Sequence, residues 1–368
     1  MYDAELRTLR EAAAGGRRVR VRGGGTKLIW GAPVALPDVE LSTAGLDRIL
    51  EHNTGDLTAV AQAGVPMERL REELAAEGQM LAIDPPVAAG ATLGGVLATA
   101  DSGPLRHRHG GPRDLVLGMT VALSDGTLAR SGGKVIKNVA GYDLAKLFTG
   151  SFGTLGAILD VAVRLHPLPA ATTTAIGEGD DPESVAAAAS ALAHSAVEAQ
   201  CLDVRWADGR GAVLVRLGGV EAAGQAGAAE RLLERAGLVT RLVEDDEGVW
   251  VEQRADQRSP GGIMLRVSGV QSQLAAQMAA AERVGGRLVA RAAYGLAWIA
   301  VPDAEAVEAL RRELAPSPCV MLDAPADVRE RIDVWGAGDA GALDLMRRVK
   351  ARFDPAGACN PGVFLGGI

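Results

Sequence analysis

Residues 18–31 read RVRVRGGGTKLIWG, a short alternating stretch that runs directly into three consecutive glycines. Without Cβ atoms, these glycines let successive backbone N–H groups turn into one concavity, the geometry of an anion-binding nest. The stretch lacks the GK[ST] ending of a Walker loop, and it is not followed by the helix that the GxGxxG dinucleotide motif requires. A plain glycine turn is the alternative to a phosphate loop. The residues predicted to bind phosphate here are Gly23, Gly24, Gly25, Thr26 and Lys27.

A second glycine-containing segment, residues 84–104, reads DPPVAAGATLGGVLATADSGP. Its proline pair makes the entry rigid, and the small residues that follow predict a short helix whose N-terminal amides suit a diphosphate. Small side chains on this helix would allow a ligand to lie directly on the backbone. An ordinary, tightly packed helix is the alternative. The residues assigned to this site are Pro86, Thr92, Leu93, Gly94, Gly95, Thr99, Ala100, Ser102 and Gly103.

A third segment, residues 132–165, reads GGKVIKNVAGYDLAKLFTGSFGTLGAILDVAVRL. It joins a polar turn to a dense run of glycines and then to an apolar strand predicted over residues 157–165. No simple core needs this density of glycine and polar residues, so we expect a ligand site. The residues assigned to it are Asn138, Gly141, Tyr142, Asp143, Ser151, Gly153, Thr154, Leu155 and Gly156.

Composition argues against several classes of protein. The net charge of −8 is spread without a basic stripe, which disfavours nucleic acid as a partner. No apolar run is long enough for a membrane-spanning helix, and the charged N-terminal pattern is unlike a signal peptide. Cys201, Cys319 and Cys359 lie far apart and cannot by themselves supply the ligands of an iron–sulfur cluster. As buried thiols they fit a reducing cytoplasm.

Changes of pattern along the chain predict three parts, residues 1–169, 170–325 and 326–368. The first alternates short apolar strands with glycine turns and contains a clear helix at residues 66–76. The second interleaves alanine-rich helices with strands, an α+β pattern with helices on one face of a largely antiparallel sheet. The third contains an amphipathic helix at residues 343–353 and a turn-rich end. No internal repeat is visible in the sequence.

These segments, in this order and at these separations, resemble the p-cresol methylhydroxylase/vanillyl-alcohol oxidase (PCMH-type) superfamily of FAD-binding proteins. Residues 347–362, RRVKARFDPAGACNPG, resemble the closing helix and FDPxGxxNPG turn of that superfamily. Within it, residues 133–156 are most similar to the E subunits of bacterial glycolate oxidases, which are FAD-binding subunits. The middle of the chain matches only weakly.

The resemblance implies an α+β fold with two domains. A PCMH-type FAD-binding domain (1–169) would be completed by the returning C-terminal segment (326–368), and a ferredoxin-like cap (170–325) would carry the substrate. The first two segments would hold the pyrophosphate of FAD, and the third would flank the ribityl chain and the isoalloxazine. His107 and His109 lie outside the sequence context of covalent attachment, so we expect non-covalent FAD.

The resemblance also implies a function, the FAD-binding subunit of a glycolate oxidase-like 2-hydroxy-acid oxidoreductase complex that relays electrons from flavin to a partner. The implied partners are a larger FAD-dependent dehydrogenase subunit and an iron–sulfur subunit. The implied location is the cytoplasm, with membrane association only through partners. Two alternatives stay open: a self-sufficient FAD-dependent dehydrogenase of glycolate or D-lactate, and a structural subunit that keeps the flavin fold with little activity.

Two departures from the related dehydrogenases bear on catalysis. Their HxGDGNxH segment, which helps to bind a divalent metal and handles the substrate proton, is replaced by RAAYGLAWIAVP at residues 291–302. Their GSEGTLG reads GSFGTLG, with Phe152 in place of the carboxylate. We therefore expect no metal site and assign no catalytic base. Arg266, as a clamp for a substrate carboxylate, and Tyr294, as a proton donor, are the catalytic candidates, with a salt bridge and simple packing as the respective alternatives.

Overall fold

The computed structural model describes residues 1–86, 89–134, 142–336 and 338–368. Its elements up to residue 169 are α1 (Asp3–Ala14), β1 (Val19–Arg22), β2 (Val39–Ser42), β3 (Ile49–Asn53), β4 (Thr58–Gln62), α2 (Met67–Ala75), β5 (Gln79–Met80), α3 (Leu93–Thr99), α4 (Arg106–His109), α5 (Pro112–Leu115), β6 (Val116–Ala122), β7 (Leu128–Gly132), α6 (Ala145–Phe148), β8 (Ala157–Arg164) and β9 (His166–Pro167).

The first part is organised around an antiparallel sheet of five strands in the order β3-β4-β8-β6-β7. β4 is buried along its whole length, and α2 turns Met67, Leu70 and Leu74 into the same core. β1 and β2 form a separate parallel pair. Because β1 stops at Gly23, the glycine loop emerges from the end of this pair.

The elements after residue 169 are β10 (Thr172–Gly179), α7 (Pro182–Ala193), β11 (Cys201–Ala207), β12 (Arg210–Gly218), α8 (Ala222–Arg235), β13 (Val239–Val243), α9 (Glu247–Ala255), β14 (Ile263–Ser268), α10 (Leu274–Arg283), β15 (Arg287–Arg291), β16 (Leu296–Val301), α11 (Ala304–Glu313), β17 (Cys319–Asp323), α12 (Ala326–Arg331) and α13 (Ala340–Phe353).

The second sheet is built from two consecutive βαββαβ units. Its eight antiparallel strands have the order β13-β10-β12-β11-β15-β16-β14-β17. The first unit contains β10–β13 and the second β14–β17. Numbered within its unit, the first four strands follow the ferredoxin-like order 4-1-3-2 and the second four the reverse order, and β11 pairs with β15 to join the units. The predicted ferredoxin-like cap is therefore a tandem of two units. The topology thus repeats although no repeat is visible in the sequence, because a fold can recur with different residues.

The two faces of this sheet have different neighbours. Helices α7, α8, α10 and α11 cover one face and build the largest apolar core. On the other face, Met264 and Trp298 pack with Trp30 of the first part. Elsewhere on that face, Trp250 of α9 covers Ile176 and Leu214. The glycine-loop region of the first part therefore lies against the β14–β16 half of the sheet.

The chain end returns to the first part. The Val19 N–H donates to Ala358 O at 2.7 Å, and the Asn360 N–H donates to Val19 O at 2.7 Å, so residue 359 lies beside β1 like a short added strand. The predicted α+β class is confirmed, while the domain boundaries at 169/170 and 325/326 stay predictions. Among the described helices, none is long and apolar enough to cross a bilayer.

Candidate functional site: a cleft between the glycine loop and the chain end

The glycine loop, α3, residues 152–156 and the C-terminal segment meet around one cleft, which we name the main cleft because all three predicted segments reach it. Its free volume is about 310 Å³. Of the residues predicted from sequence, those that line it are Gly23, Gly24, Gly25, Thr26, Lys27, Thr92, Gly94, Gly95, Thr99, Gly153 and Gly156. The fold thus brings one portion of each of the three predicted segments to the same place.

The nest glycines are required by their surroundings. A Cβ on Gly23 would lie 2.2 Å from the Thr92 hydroxyl oxygen, and one on Gly24 would lie 1.7 Å from Gly90 O. Gly25 has a φ of +74°, in the left-handed region that side chains disfavour. The loop can therefore approach the start of α3 only without side chains, which leaves backbone along this wall of the main cleft.

The start of α3, which contacts the glycine loop, also lines the main cleft. Thr92 is the N-cap, and its hydroxyl accepts a hydrogen bond from the Gly95 N–H at 3.3 Å. A Cβ on Gly94 would lie 2.7 Å from the Ala63 side chain, so close packing against the β4 end accounts for this glycine. Thr99 also lines the main cleft, and its hydroxyl donates back to Gly95 O at 2.9 Å.

Lys27 carries a charge that is already paired. Its ammonium lies 3.1 Å from the Asp101 carboxylate, and the two side chains are only 7% and 3% exposed. The ammonium also lies 5.6 Å from the Trp30 ring centroid. Lys27 therefore lines the main cleft as half of a buried ion pair, which ties the glycine loop to the end of the second segment.

The third segment contributes its backbone and one aromatic ring. Gly153 has a φ of +71°, and Gly156 sits so close to β6 that a Cβ would lie 2.6 Å from Ala122 O. Phe152 lines the main cleft between them and Asn360, with its own φ at +55°. Its ring packs edge-on against Trp335, at 5.3 Å between centroids, and close to Phe364.

Other predicted residues lie outside the main cleft. Leu93 and Leu155 are core side chains, Ser151 and Thr154 cap the local turn, and Tyr142 is 92% exposed. Asp143 lies 3.8 Å from Lys146 at the surface. The remaining non-lining residues are Pro86, Ala100, Ser102 and Gly103. Asn138 and Gly141 fall outside the described residues.

Sequence reasoning missed a set of lining residues, the most informative of which are Trp30, Phe152, Arg329, Asn360 and Val363. Phe152 was noted only as a lost carboxylate, and the FDPxGxxNPG resemblance could have singled out Asn360. Arg329 had no sequence signal, since α12 reads as an ordinary surface helix.

Asn360 and Lys350 fix the third segment to the chain end. The Asn360 side-chain amide donates to Phe152 O at 2.7 Å. The Lys350 ammonium donates to Thr154 O at 2.7 Å, to Cys359 O at 2.8 Å and to the buried Asp354 carboxylate at 2.6 Å. One lysine therefore joins α13, the closing turn and the wall of the main cleft.

The two catalytic candidates lie on the sheet side of this region. Arg266 of β14 is partly buried, its Nε is shielded from solvent without a hydrogen-bond partner, and it forms no ion pair within the described chain. Burial lowers its pKa, and the nearby Asp101 charge opposes that shift. Tyr294 donates its hydroxyl proton to His107 O at 3.2 Å and stacks against Arg106. Its hydroxyl is thus engaged with the α4 backbone.

A buried polar network connects the sheet to the second segment. The Arg291 guanidinium donates to Asp203 at 2.6 Å and to the Gln257 side chain, and Gln257 donates to Ser102 O at 3.1 Å. Next to it, Asp84 accepts from the Leu105 N–H at 3.1 Å. Burial raises the pKa of Asp84 to about 7, even though the Arg254 and Arg291 charges and the Leu105 hydrogen bond act in the opposite direction.

The histidines lie away from the main cleft. His109 packs against His166 at 4.3 Å between ring centroids and contacts the Gln200 side chain at 3.1 Å. His107 faces Tyr294. In the described part of the chain, no group of three or more histidine, cysteine or carboxylate side chains is placed to hold a metal ion.

Two family models match this chain. An FAD binding domain matches residues 3–132, and the C-terminal domain of FAD linked oxidases matches residues 337–364. These are the two stretches that the fold brings together around the main cleft. In these two stretches the chain is similar to FAD-linked oxidases. The predicted cofactor, FAD, is confirmed, and we refer to the first part as the FAD domain; its non-covalent attachment stays a prediction.

Curated relatives match less than half of the chain. The chain is 34% identical over 159 residues to D-lactate dehydrogenase [cytochrome] 1, mitochondrial, of Saccharomyces cerevisiae, covering 43% of this chain and 27% of that protein. It is 33% identical over 171 residues to glycolate oxidase subunit GlcE of Escherichia coli, covering 46% and 48%. It is 38% identical over 149 residues to glycolate oxidase subunit GlcD of Bacillus subtilis, covering 40% and 32%. The matched region thus spans about half or less of each relative.

The whole fold also has a solved counterpart. Alkyldihydroxyacetonephosphate synthase superposes with a TM-score of 0.73 at 16% identity, covering 97% of this chain and 74% of that one. The tandem sheet is therefore part of the shared fold. The lining of the main cleft fits a dinucleotide, because the glycine loop offers Cβ-free backbone to a diphosphate and the lining includes the cation Arg329.

Proposed function

We propose that this chain is the FAD-binding subunit of a glycolate oxidase-like oxidoreductase complex that oxidises a small 2-hydroxy acid. The observation that carries the proposal is the main cleft, which joins all three glycine segments to the C-terminal turn in a chain related to glycolate oxidase subunits. FAD, when bound, supplies the hydride acceptor. The chain's own residues bind and orient the reactants around it.

Arg266 supports a carboxylate substrate. It stands on the sheet face that meets the FAD domain, and its cross-strand partner is Trp298. None of the residues outside the described ranges is acidic, so Arg266 has no carboxylate partner in the chain. A shielded guanidinium of this kind can take a carboxylate in bidentate fashion. We assign it the role of substrate clamp.

The proton balance argues for a partner. Oxidation of a hydroxy acid removes a hydroxyl proton together with the hydride, which calls for a base beside the substrate. Residues 291–302, which replace the relatives' histidine segment, contain no histidine, and the Tyr294 hydroxyl is engaged by backbone. We therefore favour a subunit that works beside a larger FAD-dependent dehydrogenase subunit and an iron–sulfur subunit in the cytoplasm, reaching membranes only through them.

Two other functions have specific support. The Arg266 clamp favours a self-sufficient FAD-dependent dehydrogenase of glycolate or D-lactate. The missing histidines favour a structural subunit in which FAD stays idle. The three functions predict different conditions for flavin reduction: only with the partner subunits, in the chain alone, or under no condition.

The test is to load the purified chain with FAD and follow flavin absorbance anaerobically with glycolate and with D-lactate, alone and with the two partner subunits. We expect rapid bleaching of the flavin only with the partners present. The bleaching rate should fall at least about tenfold in Arg266→Met, because the substrate carboxylate loses a charged hydrogen-bonded contact. Arg241→Met, an exposed arginine on β13, is the matched control. Bleaching of the chain alone would establish the self-sufficient enzyme, and persistent oxidised flavin under all conditions would establish the structural subunit.

A further inference from the structure

We infer that Arg329 is an anion-binding residue of the main cleft, which neutralises negative charge brought by the bound cofactor. It lies on α12, outside both stretches matched by the family models. Its side chain nevertheless lines the same cleft as the nest glycines and Asn360. The inference adds a residue from the third part of the chain to the FAD site.

The two terminal nitrogens of the Arg329 guanidinium differ in their contacts. Nη2 donates to Gly31 O at 2.6 Å, four residues beyond Lys27. Nη1 is shielded from solvent and has no hydrogen-bond partner in the described structure. A shielded donor without an acceptor costs free energy unless a ligand supplies the acceptor.

Elimination among the cations of the main cleft points to the same residue. Arg20 shares the Glu40 carboxylate with Arg22, at 2.9 and 3.0 Å, and Lys27 lies 3.1 Å from Asp101, so each of these two lining cations has a carboxylate partner. Among the described lining residues, Arg329 is the remaining cation, and it forms no ion pair.

The acid whose charge acts on Arg329 is Asp323, and its carboxylate is already hydrogen-bonded to other residues. Asp323 accepts two hydrogen bonds from Arg258, both at 2.8 Å, and further ones from the Ser259 N–H and the Trp30 ring. The residues outside the described ranges include no acid that could substitute. Burial lowers the pKa of Arg329, as expected for a cation that lacks a counter-ion.

FAD brings anionic groups of two kinds to this cleft. Its diphosphate is negatively charged at neutral pH, and its reduced ring can carry a further negative charge next to a carbonyl. Both present oxygen or nitrogen acceptors that a guanidinium binds by charge-assisted hydrogen bonds. In either case Nη1 would donate to an anionic acceptor. Binding measurements and redox measurements distinguish the diphosphate from the reduced ring as that acceptor.

The experiment compares the full chain with Arg329→Met, Arg329→Lys and the control Arg331→Met. Arg331 lies on the same helix but is exposed and pairs only with Asp327, at 3.2 Å. Apoprotein is titrated with FAD and with ADP, which carries the diphosphate alone, and the flavin midpoint potential of the loaded proteins is measured by dye equilibration. Thermal unfolding of each apoprotein reports on folding.

If Nη1 meets the diphosphate, Arg329→Met weakens FAD and ADP binding together, by about tenfold or more, as for loss of a charged hydrogen bond. If Nη1 instead contacts the reduced ring, Arg329→Met leaves the affinity for oxidised FAD and for ADP unchanged but lowers the flavin midpoint potential. A tenfold preferential loss of the reduced form corresponds to about 30 mV for a two-electron couple. Arg329→Lys retains most of either effect, and Arg331→Met matches wild type.

The inference is overturned if Arg329→Met matches wild type in FAD affinity, ADP affinity and potential. It is also overturned if Met and Lys variants lose affinity and thermal stability equally, since that pattern reports only the contact with Gly31. A wild-type chain that cannot take up FAD at all would overturn the cofactor assignment along with it.

Discussion

Gly23, Gly24 and Gly25 look alike in the sequence, yet the structure requires glycine at each position for a different reason. Gly23 faces the Thr92 hydroxyl, Gly24 faces Gly90 O, and Gly25 takes a left-handed φ. The sequence predicted the nest because three glycines after a strand leave successive backbone N–H groups unhindered, with a plain glycine turn as the alternative. It could not predict the contact with residues 90–92, since that depends on how two loops distant in sequence meet.

Gly24 gives the sharpest test at the residue scale. Gly24→Ala would place a methyl group 1.7 Å from Gly90 O, so the loop must move away from α3. We expect FAD affinity to fall by roughly tenfold or more, about 1.4 kcal/mol or above, measured by titration of apoprotein. The control is Gly45→Ala, where nothing lies within 4 Å of the added atom. Unchanged affinity in Gly24→Ala would remove the nest from the cofactor site.

Lys27 shows the limit of residue-level prediction. Its place in the loop suggested a charge for phosphate, whereas the fold uses that charge to pair with Asp101, far along the chain. Arg329 shows the converse, since a residue with no motif lines the main cleft. Pairing between distant charges depends on tertiary structure, and a single sequence carries no record of it.

At the scale of elements, periodicity located the helices and strands whose apolar residues recur most regularly. The helix predicted at 66–76 is α2 (Met67–Ala75), and the strand predicted over 157–165 is β8 (Ala157–Arg164). Local signals such as a stripe of Met67, Leu70 and Leu74 are enough for such elements. The order of the eight strands could not be predicted from the sequence, because long-range packing decides which strands pair.

The link between α13 and the main cleft yields an element-scale prediction. Lys350→Met removes the ammonium that joins Thr154 O, Cys359 O and the fully buried Asp354. Because a buried carboxylate loses its ion-pair partner, we expect unfolding free energy to fall by about 3 kcal/mol, measured by urea denaturation. FAD affinity should fall as well, since the third segment loses its anchor.

The control for Lys350 is Arg347→Met on the same helix. Arg347 is 55% exposed and pairs with an exposed Asp344, so we expect a change within about 0.5 kcal/mol. Equal stability of the Lys350 and Arg347 variants would mean that α13 is not an anchor of the cleft wall.

At the scale of the whole molecule, the FAD domain and the tandem sheet meet through buried polar groups as well as apolar ones. Asp84 of the FAD domain lies in the field of Arg254, Arg291 and Asp203 from the second part. Sequence reasoning predicted two domains but none of these contacts. Buried polar networks leave no periodic pattern, and their members come from loops and helix ends of both parts.

Asp84 makes stability depend on pH. Its folded pKa of about 7 exceeds that of an unfolded aspartate, so between pH 4 and 7 the native state holds a proton that the unfolded state has released. This contribution is therefore present at low pH and is lost as pH rises through the folded pKa. We expect urea midpoints of wild type to decline over this window relative to Asp84→Asn, which keeps an acceptor for the Leu105 N–H.

The matched variant for that experiment is Asp208→Asn, in an exposed turn at a φ of +53° that asparagine also accepts. Its midpoints should run parallel to those of wild type. Parallel curves for Asp84→Asn as well would show that Asp84 does not titrate between the two states in this range.

Reconstitution of the purified chain, alone, with FAD tests whether the main cleft is the FAD site. We expect a yellow protein that retains equimolar FAD after gel filtration and releases it on denaturation. The bound FAD should be lost in Gly24→Ala but not in Gly45→Ala. A folded chain that stays colourless in excess FAD, or one that binds equally well in both variants, would contradict the assignment of the main cleft as the FAD site.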